Sequence, residues 1–185
     1  MRAFVAVDLP EGLRREAAAL QARFRSAGAD VKWVEPENLH LTLKFLGSIE
    51  ETQVSPLTER LKAAAGSLSS FTLRLEGIGA FPRTTDPRVI WVGVSEGKEK
   101  LAELASAVEQ TCAELGFPKE ERPFSPHLTI GRIRSRDHPA GLIKKLQVAE
   151  FCGETPAPVN QVILYQSTLS PQGPLYTPLA QIPLG

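Results

Sequence analysis

His40-Leu41-Thr42-Leu43 and His127-Leu128-Thr129-Ile130 are two copies of one tetrapeptide, His-Leu-Thr-aliphatic. Both sit in stretches with strand character, and in an extended strand successive side chains point to opposite faces. His and Thr, two apart, therefore share one face, and the aliphatics point the other way, into a core. The chain holds only three histidines, and two of them carry this neighbourhood. The copies lie 87 positions apart, nearly half of the 185 residues. This spacing reads as an internal duplication that brings two His-Thr pairs face to face in one cleft.

Around the motifs, the same strand-helix-strand grammar precedes each copy. Arg2 to Asp8 alternates as a strand and Pro10 stops it. Leu13, Ala17, Leu20 and Phe24 recur at helical spacing, which predicts a helix from Glu11 to about Ala27, ended by Gly28. Val31 to Val34 is a short strand, and the first motif strand runs from His40 to Leu46, closed by Gly47. A second helix spans Glu51 to Ala65. Phe71 to Ile78 alternates as one strand, a loop covers Phe81 to Pro87, and Arg88 to Val94 is a central strand. The longest helix runs from Gly97 to Leu115, capped by Gly116. The second motif strand covers His127 to Ile133, followed by a short helix from His138 to Leu146. Val159 to Leu169 is a strand. Leu175 to Ile182 is the last one, on a sheet edge because Pro178 and Pro183 cannot donate to a ladder. With no low-complexity linker between them, the two lobes are expected to pack as one domain over residues 1–185.

Composition narrows the chemistry. Lysine plus arginine equals aspartate plus glutamate at 21 each, so any nucleic-acid binding must come from a local patch and a specific pocket. Cys112 and Cys152 fit no metal-ligand spacing and read as free thiols in a reducing cytoplasm. The N-terminal stretch turns polar at Asp8 and reads as no signal peptide, and no apolar run reaches membrane-spanning length. A soluble, cytoplasmic, monomeric protein without a membrane partner is the expectation.

Paired imidazoles suit the movement of two protons in one step, since one ring can be a neutral base while its twin is a protonated acid at the same pH. A phosphodiester under in-line attack needs both: a base on the attacking oxygen and an acid on the leaving one. The hydroxyls of Thr42 and Thr129 can donate to the non-bridging phosphate oxygens. Arg132 follows Gly131. Strict alternation puts it on the wrong face, and a glycine bulge would swing it back to clamp phosphate. Lys44 shares the parity of His40 and Thr42, which points it at the cleft, while Phe45 by the same rule faces the core. Arg134 and Arg136 read as surface charge, and His138 as a hydrogen-bonded structural residue. Two histidines without a third ligand make a zinc site a poor fit, and no glycine-rich phosphate loop is present.

The doubled motif in its context, WVEPENLHLTLKFLG and RPFSPHLTIGR, together with RAFVAVDLP, the FPR loop before RVIWVGV, and LYQSTLSPQGPLYTPL, resembles the two-histidine phosphoesterase superfamily. Within it the chain is similar to the LigT/ThpR branch, RNA 2',3'-cyclic phosphodiesterases also called 2'-5' RNA ligases. The resemblance implies a bilobal, duplicated α+β fold with two antiparallel sheets facing a central cleft and helices outside. It implies hydrolysis of an RNA 2',3'-cyclic phosphate end to a 2'-phosphate, with no metal or other cofactor, on substrates such as tRNA halves or small cyclic nucleotides. It makes His40 the general acid, His127 the general base, and Thr42, Thr129 and Arg132 phosphate ligands. It puts Phe45 where an aromatic stacks on the terminal base, against the alternation rule. The residues alone leave open which histidine is acid, and leave ligation or a non-catalytic RNA-end module as alternatives.

Overall fold

The structure, a computed structural model, describes residues 1–135, 137 and 140–185. Ten strands and four helices follow in the order β1 (Arg2–Asp8), α1 (Glu11–Arg25), β2 (Val31–Trp33), β3 (His40–Ser48), α2 (Glu51–Gly66), β4 (Phe71–Leu73), β5 (Leu75–Arg83), β6 (Asp86–Val94), α3 (Lys98–Glu114), β7 (His127–Ile133), α4 (Ala140–Val148), β8 (Ala157–Val159), β9 (Gln161–Ser170) and β10 (Gly173–Pro183). One four-stranded sheet has the order β10-β9-β1-β3 and a second has the order β2-β7-β6-β5, every pairing antiparallel. Strands β4 and β8 pair with each other in a small third sheet. Each large sheet draws strands from both halves of the chain: the first adds β9 and β10 to β1 and β3, the second adds β2 and β5 to β6 and β7.

Helices pack by the stripes their spacing encodes. Leu13, Ala17, Leu20 and Phe24 of α1 are buried, and Gly28, at φ +71°, takes the left-handed turn that ends the segment. Helix α3 buries Leu101, Leu104, Ala105 and Val108, each leucine contributing about 2 kcal/mol by leaving water. These stripes meet Val5, Val7, Leu41 and Leu43 of the first sheet and Ile90, Val92, Leu128 and Ile130 of the second in one continuous core. The aliphatics of both tetrapeptides are thus the inward set. A second, small cluster of Phe4, Ala6, Ile163 and Tyr165, with Tyr176 against it, lies on the opposite face of the first sheet. That face carries His40.

Several boundaries differ from expectation, each for a local reason. Phe71 to Ile78 is two strands, because the chain passes at Arg74 from the small sheet into the large one. The Phe81–Pro87 segment is no open loop: β5 runs on to Arg83, β6 starts at Asp86, and only Thr84 and Thr85 remain as the turn. Similarly, Val159 to Leu169 divides between β8 and β9. Strand β3 continues to Ser48 through Gly47, whose φ of +72° bends the strand without closing it. Strand β10 lies at the edge of its sheet, as its prolines require. The readings of Arg136 and His138, and the start of the helix at His138, lie outside the described residues. No helix of the described residues is long and apolar enough to cross a membrane.

Candidate active site

Strand pairing puts the two motifs in equivalent settings. Thr42 lies opposite Ala6 on β1 and His40 opposite Asp8, while Thr129 lies opposite Trp91 on β6 and His127 opposite Gly93. A register shift between Val5 and Ala6 faces Leu43, and one between Ile90 and Trp91 faces Ile130. Each motif strand therefore carries a bulge one residue after its Thr, and the bulge reverses the parity of all that follows.

Two expectations change as a result. Lys44 does not face the cleft. It is 2% exposed and turned to the helix layer, where its Nζ donates to Glu109 Oε1 at 2.9 Å and to the Pro118 carbonyl at 2.6 Å. Phe45 does not face the core. It is 59% exposed, with its ring centroid 6.2 Å from that of Phe4, on the His40 side of the sheet. In the second copy the same bulge turns Gly131 inward, where a Cβ would stand 2.8 Å from the Trp33 ring, and brings exposed Arg132 round to the face of His127 and Thr129. Phe45 and Arg132 are thus counterparts, each five residues after its histidine.

Both imidazoles are held in the same way. His40 Nδ1 lies 2.6 Å from the Asn38 carbonyl and His127 Nδ1 lies 2.7 Å from the Ser125 carbonyl. A carbonyl only accepts, so each Nδ1 carries the hydrogen and each Nε2 is the nitrogen left to titrate. The Thr42 and Thr129 hydroxyls have no protein hydrogen-bond partner among the described residues, and both are partly exposed beside their histidines. Strands β3 and β7 pack against each other, and the Arg132 charge is felt by both His40 and Tyr176 across the cleft. His40, Thr42 and Phe45 thus share one face of β3, His127, Thr129 and Arg132 share one face of β7, and Lys44 belongs to neither set.

Several site neighbours carry no motif and have no signal of their own in the sequence. Phe4 stacks on His40 at 4.8 Å between ring centroids, and Tyr176 meets it edge-on at 5.2 Å. Phe81 meets His127 edge-on at 5.0 Å, and Trp91 lies at 6.5 Å, its indole covering Gly79 so closely that a Cβ there would stand 2.2 Å from the ring. A cavity of about 200 Å³ opens beside His40, with Asp8, Arg14, Asn38, Tyr165 and Tyr176 among its walls. Burial among these rings lowers the proton affinity of His40, and Arg14 and Arg132 lower it further, while the Asn38 carbonyl and Asp8 act in the opposite sense. Burial likewise raises the pKa of Tyr176. Among the described residues no group of three or more His, Cys, Asp or Glu is placed to hold a metal ion, and both cysteines are free.

The family model described as LigT-like phosphoesterase matches the chain twice, over residues 7–91 and 92–176. The chain belongs to this family. Among curated relatives of this LigT-like phosphoesterase, the RNA 2',3'-cyclic phosphodiesterase of Methanothermobacter thermautotrophicus is 40% identical over 180 residues, 96% of this chain and 95% of that one. The protein of the same name from Aquifex aeolicus is 42% identical over 157 residues, 83% of this chain and 82% of that one. A crystal structure from Thermus thermophilus superposes on the LigT-like chain with a TM-score of 0.85 at 32% identity, covering 100% of this chain and 98% of the other. Escherichia coli LigT complexed with 3'-AMP gives 0.77 at 28% identity, covering 99% and 97%.

Proposed function

We propose that this LigT-like phosphoesterase hydrolyses RNA ends bearing a 2',3'-cyclic phosphate to 2'-phosphate ends, with His40 and His127 as the two proton carriers. The observation that carries this is the matched anchoring of the two rings, each with Nδ1 on a main-chain carbonyl two residues earlier. Names of relatives at 33–42% identity support the reaction class. His127 Nε2 takes a proton from water as its oxygen bonds to phosphorus. The P–O3' bond breaks on the far side, and His40 Nε2 gives its proton to O3'. The hydroxyls of Thr42 and Thr129 and the guanidinium of Arg132 hold the non-bridging oxygens as charge builds on them. Phe45 offers an exposed ring on which the terminal base stacks.

All of these groups come from one chain, which supports a monomer as the working unit, and two free thiols fit a reducing cytoplasm. As substrates we take oligonucleotide ends such as tRNA halves, and small cyclic nucleotides. The test is incubation of the protein with an oligonucleotide ending in a 2',3'-cyclic phosphate, with a chelator present. A 2'-phosphate end is the expected product. Tight binding without turnover would reduce the protein to an RNA-end binding module.

A further inference from the structure

The two motifs are equivalent in backbone and in Nδ1 anchoring, yet they differ at the residue directly across the ladder from each histidine. His40 faces Asp8, and His127 faces Gly93. The difference is enforced by space. A Cβ at Gly93 would stand 2.8 Å from the Glu76 carbonyl oxygen, so only glycine fits opposite His127. No side chain, and hence no carboxylate, has room there.

Asp8, by contrast, is held in place from two further elements. The Tyr165 hydroxyl on β9 donates to Asp8 Oδ1 at 2.7 Å. Arg14 Nη2 on α1 lies 3.5 Å from the same oxygen, and that guanidinium is itself fixed by Nε on the Leu9 carbonyl at 3.1 Å and Nη1 on the Glu37 carbonyl at 2.9 Å. Asp8, Arg14, Tyr165, His40 and Tyr176 line one cavity. The charged and titratable groups around His40 are then Asp8 from β1, Arg14 from α1, Glu37 from the turn before β3, Arg132 from β7, and the tyrosines of β9 and β10. Of these Asp8 is the anion paired directly across from the ring.

We propose that Asp8, oriented by Tyr165 and Arg14, is a positioning residue that helps His40 keep its proton, a partner that His127 does not have across its own ladder. This deepens the phosphodiesterase reading and rests on it for the word acid. A buried imidazole between Arg14 and Arg132 sheds its proton readily, and an acid must hold that proton until the leaving oxygen needs it. The Asn38 carbonyl opposes burial and the two guanidiniums most, and Asp8 does so next; the carbonyl has its counterpart in Ser125 at His127, whereas Asp8 has none across that ladder. His127, opposite a glycine, has no such anion across its ladder.

The test uses the full chain and two readouts. Asp8→Asn keeps an oxygen to accept from Tyr165 and removes only the charge. With three histidines in the chain, the ring signals of His40 and His127 can be followed separately by NMR titration without substrate. The midpoint of His40 is expected to fall by roughly half a unit to one unit in Asp8→Asn, the carboxylate being partly exposed, while that of His127 stays in place. Tyr165→Phe is expected to give a smaller shift in the same direction. An unmoved His40, or equal movement of both rings, would overturn the proposal. The second readout is the pH profile of kcat on the cyclic-phosphate oligonucleotide: in Asp8→Asn the alkaline limb moves to lower pH and the acidic limb does not. A uniform loss across pH would mark Asp8 as merely structural. If the wild type turned over no cyclic phosphate while the titration shift appeared, the function would fail and the local proton device would stand.

Discussion

A histidine that gives its Nδ1 hydrogen to a main-chain carbonyl has one nitrogen left for chemistry, and in this protein that is true twice. Removing either ring takes away a positioned proton carrier, so His40→Ala and His127→Ala should each lower kcat by at least ~10²-fold. Near-normal turnover in either variant would exclude the two-histidine mechanism. His40 also carries a stability consequence whose sign follows from its surroundings. Burial holds its proton affinity in the folded protein below the ordinary value, so on acidification the unfolded chain takes up the proton first. The contribution is constant above the ordinary imidazole pKa of about 6.5 and turns unfavourable as pH falls below it, until the folded ring is protonated too. Urea midpoints should therefore drop more between pH 7 and pH 5 in the wild type than in His40→Gln. An equal drop in both would mean that the ring is not buried in the way described.

The elements explain what could be read from the residues and what could not. Alternation placed His40, Thr42, His127 and Thr129 on one face correctly, and β-branching, glycine and proline positions placed nearly every helix and strand. Alternation failed at Lys44 and Phe45, because a bulge is one extra residue in a ladder and leaves no mark of its own in composition. Its trace was indirect: Arg132 made chemical sense only if the parity changed after Thr129, and by duplication the same change applied after Thr42. Asp8, Tyr165 and Tyr176 were illegible for another reason. They reach the site through cross-strand pairing over long sequence separations, and nothing local distinguishes them from other strand residues. The reversed pair gives a clear test. Lys44→Met leaves Glu109 and the Pro118 carbonyl without their cation and should cost about 1–2 kcal/mol, discounted because Glu109 is partly exposed, yet kcat should change less than twofold. Phe45→Ala should do the opposite, leaving stability alone and raising KM for an oligonucleotide end by roughly tenfold, the value of one lost base stack. Loss of turnover in Lys44→Met, or unchanged KM in Phe45→Ala, would return both residues to their alternation faces.

For the molecule as a whole, a net charge of zero means that RNA is drawn by local groups such as Arg132 and not by the overall field of the protein. Each phosphate neutralised on a single strand contributes about −0.7 to the slope of log affinity against log salt, so a site built around Arg132 should show a slope no steeper than about −1.5. A slope of about −4 would reveal an extended basic track that the present site does not contain. The exchange of strands between the halves has a mechanical corollary. Because β9 and β10 complete the sheet of the first motif, while β2 and β5 complete that of the second, each large sheet is assembled from strands far apart in the chain. A chain cut between the two matched segments would leave unpaired sheet edges on both pieces, so neither piece is expected to fold as an isolated monomer.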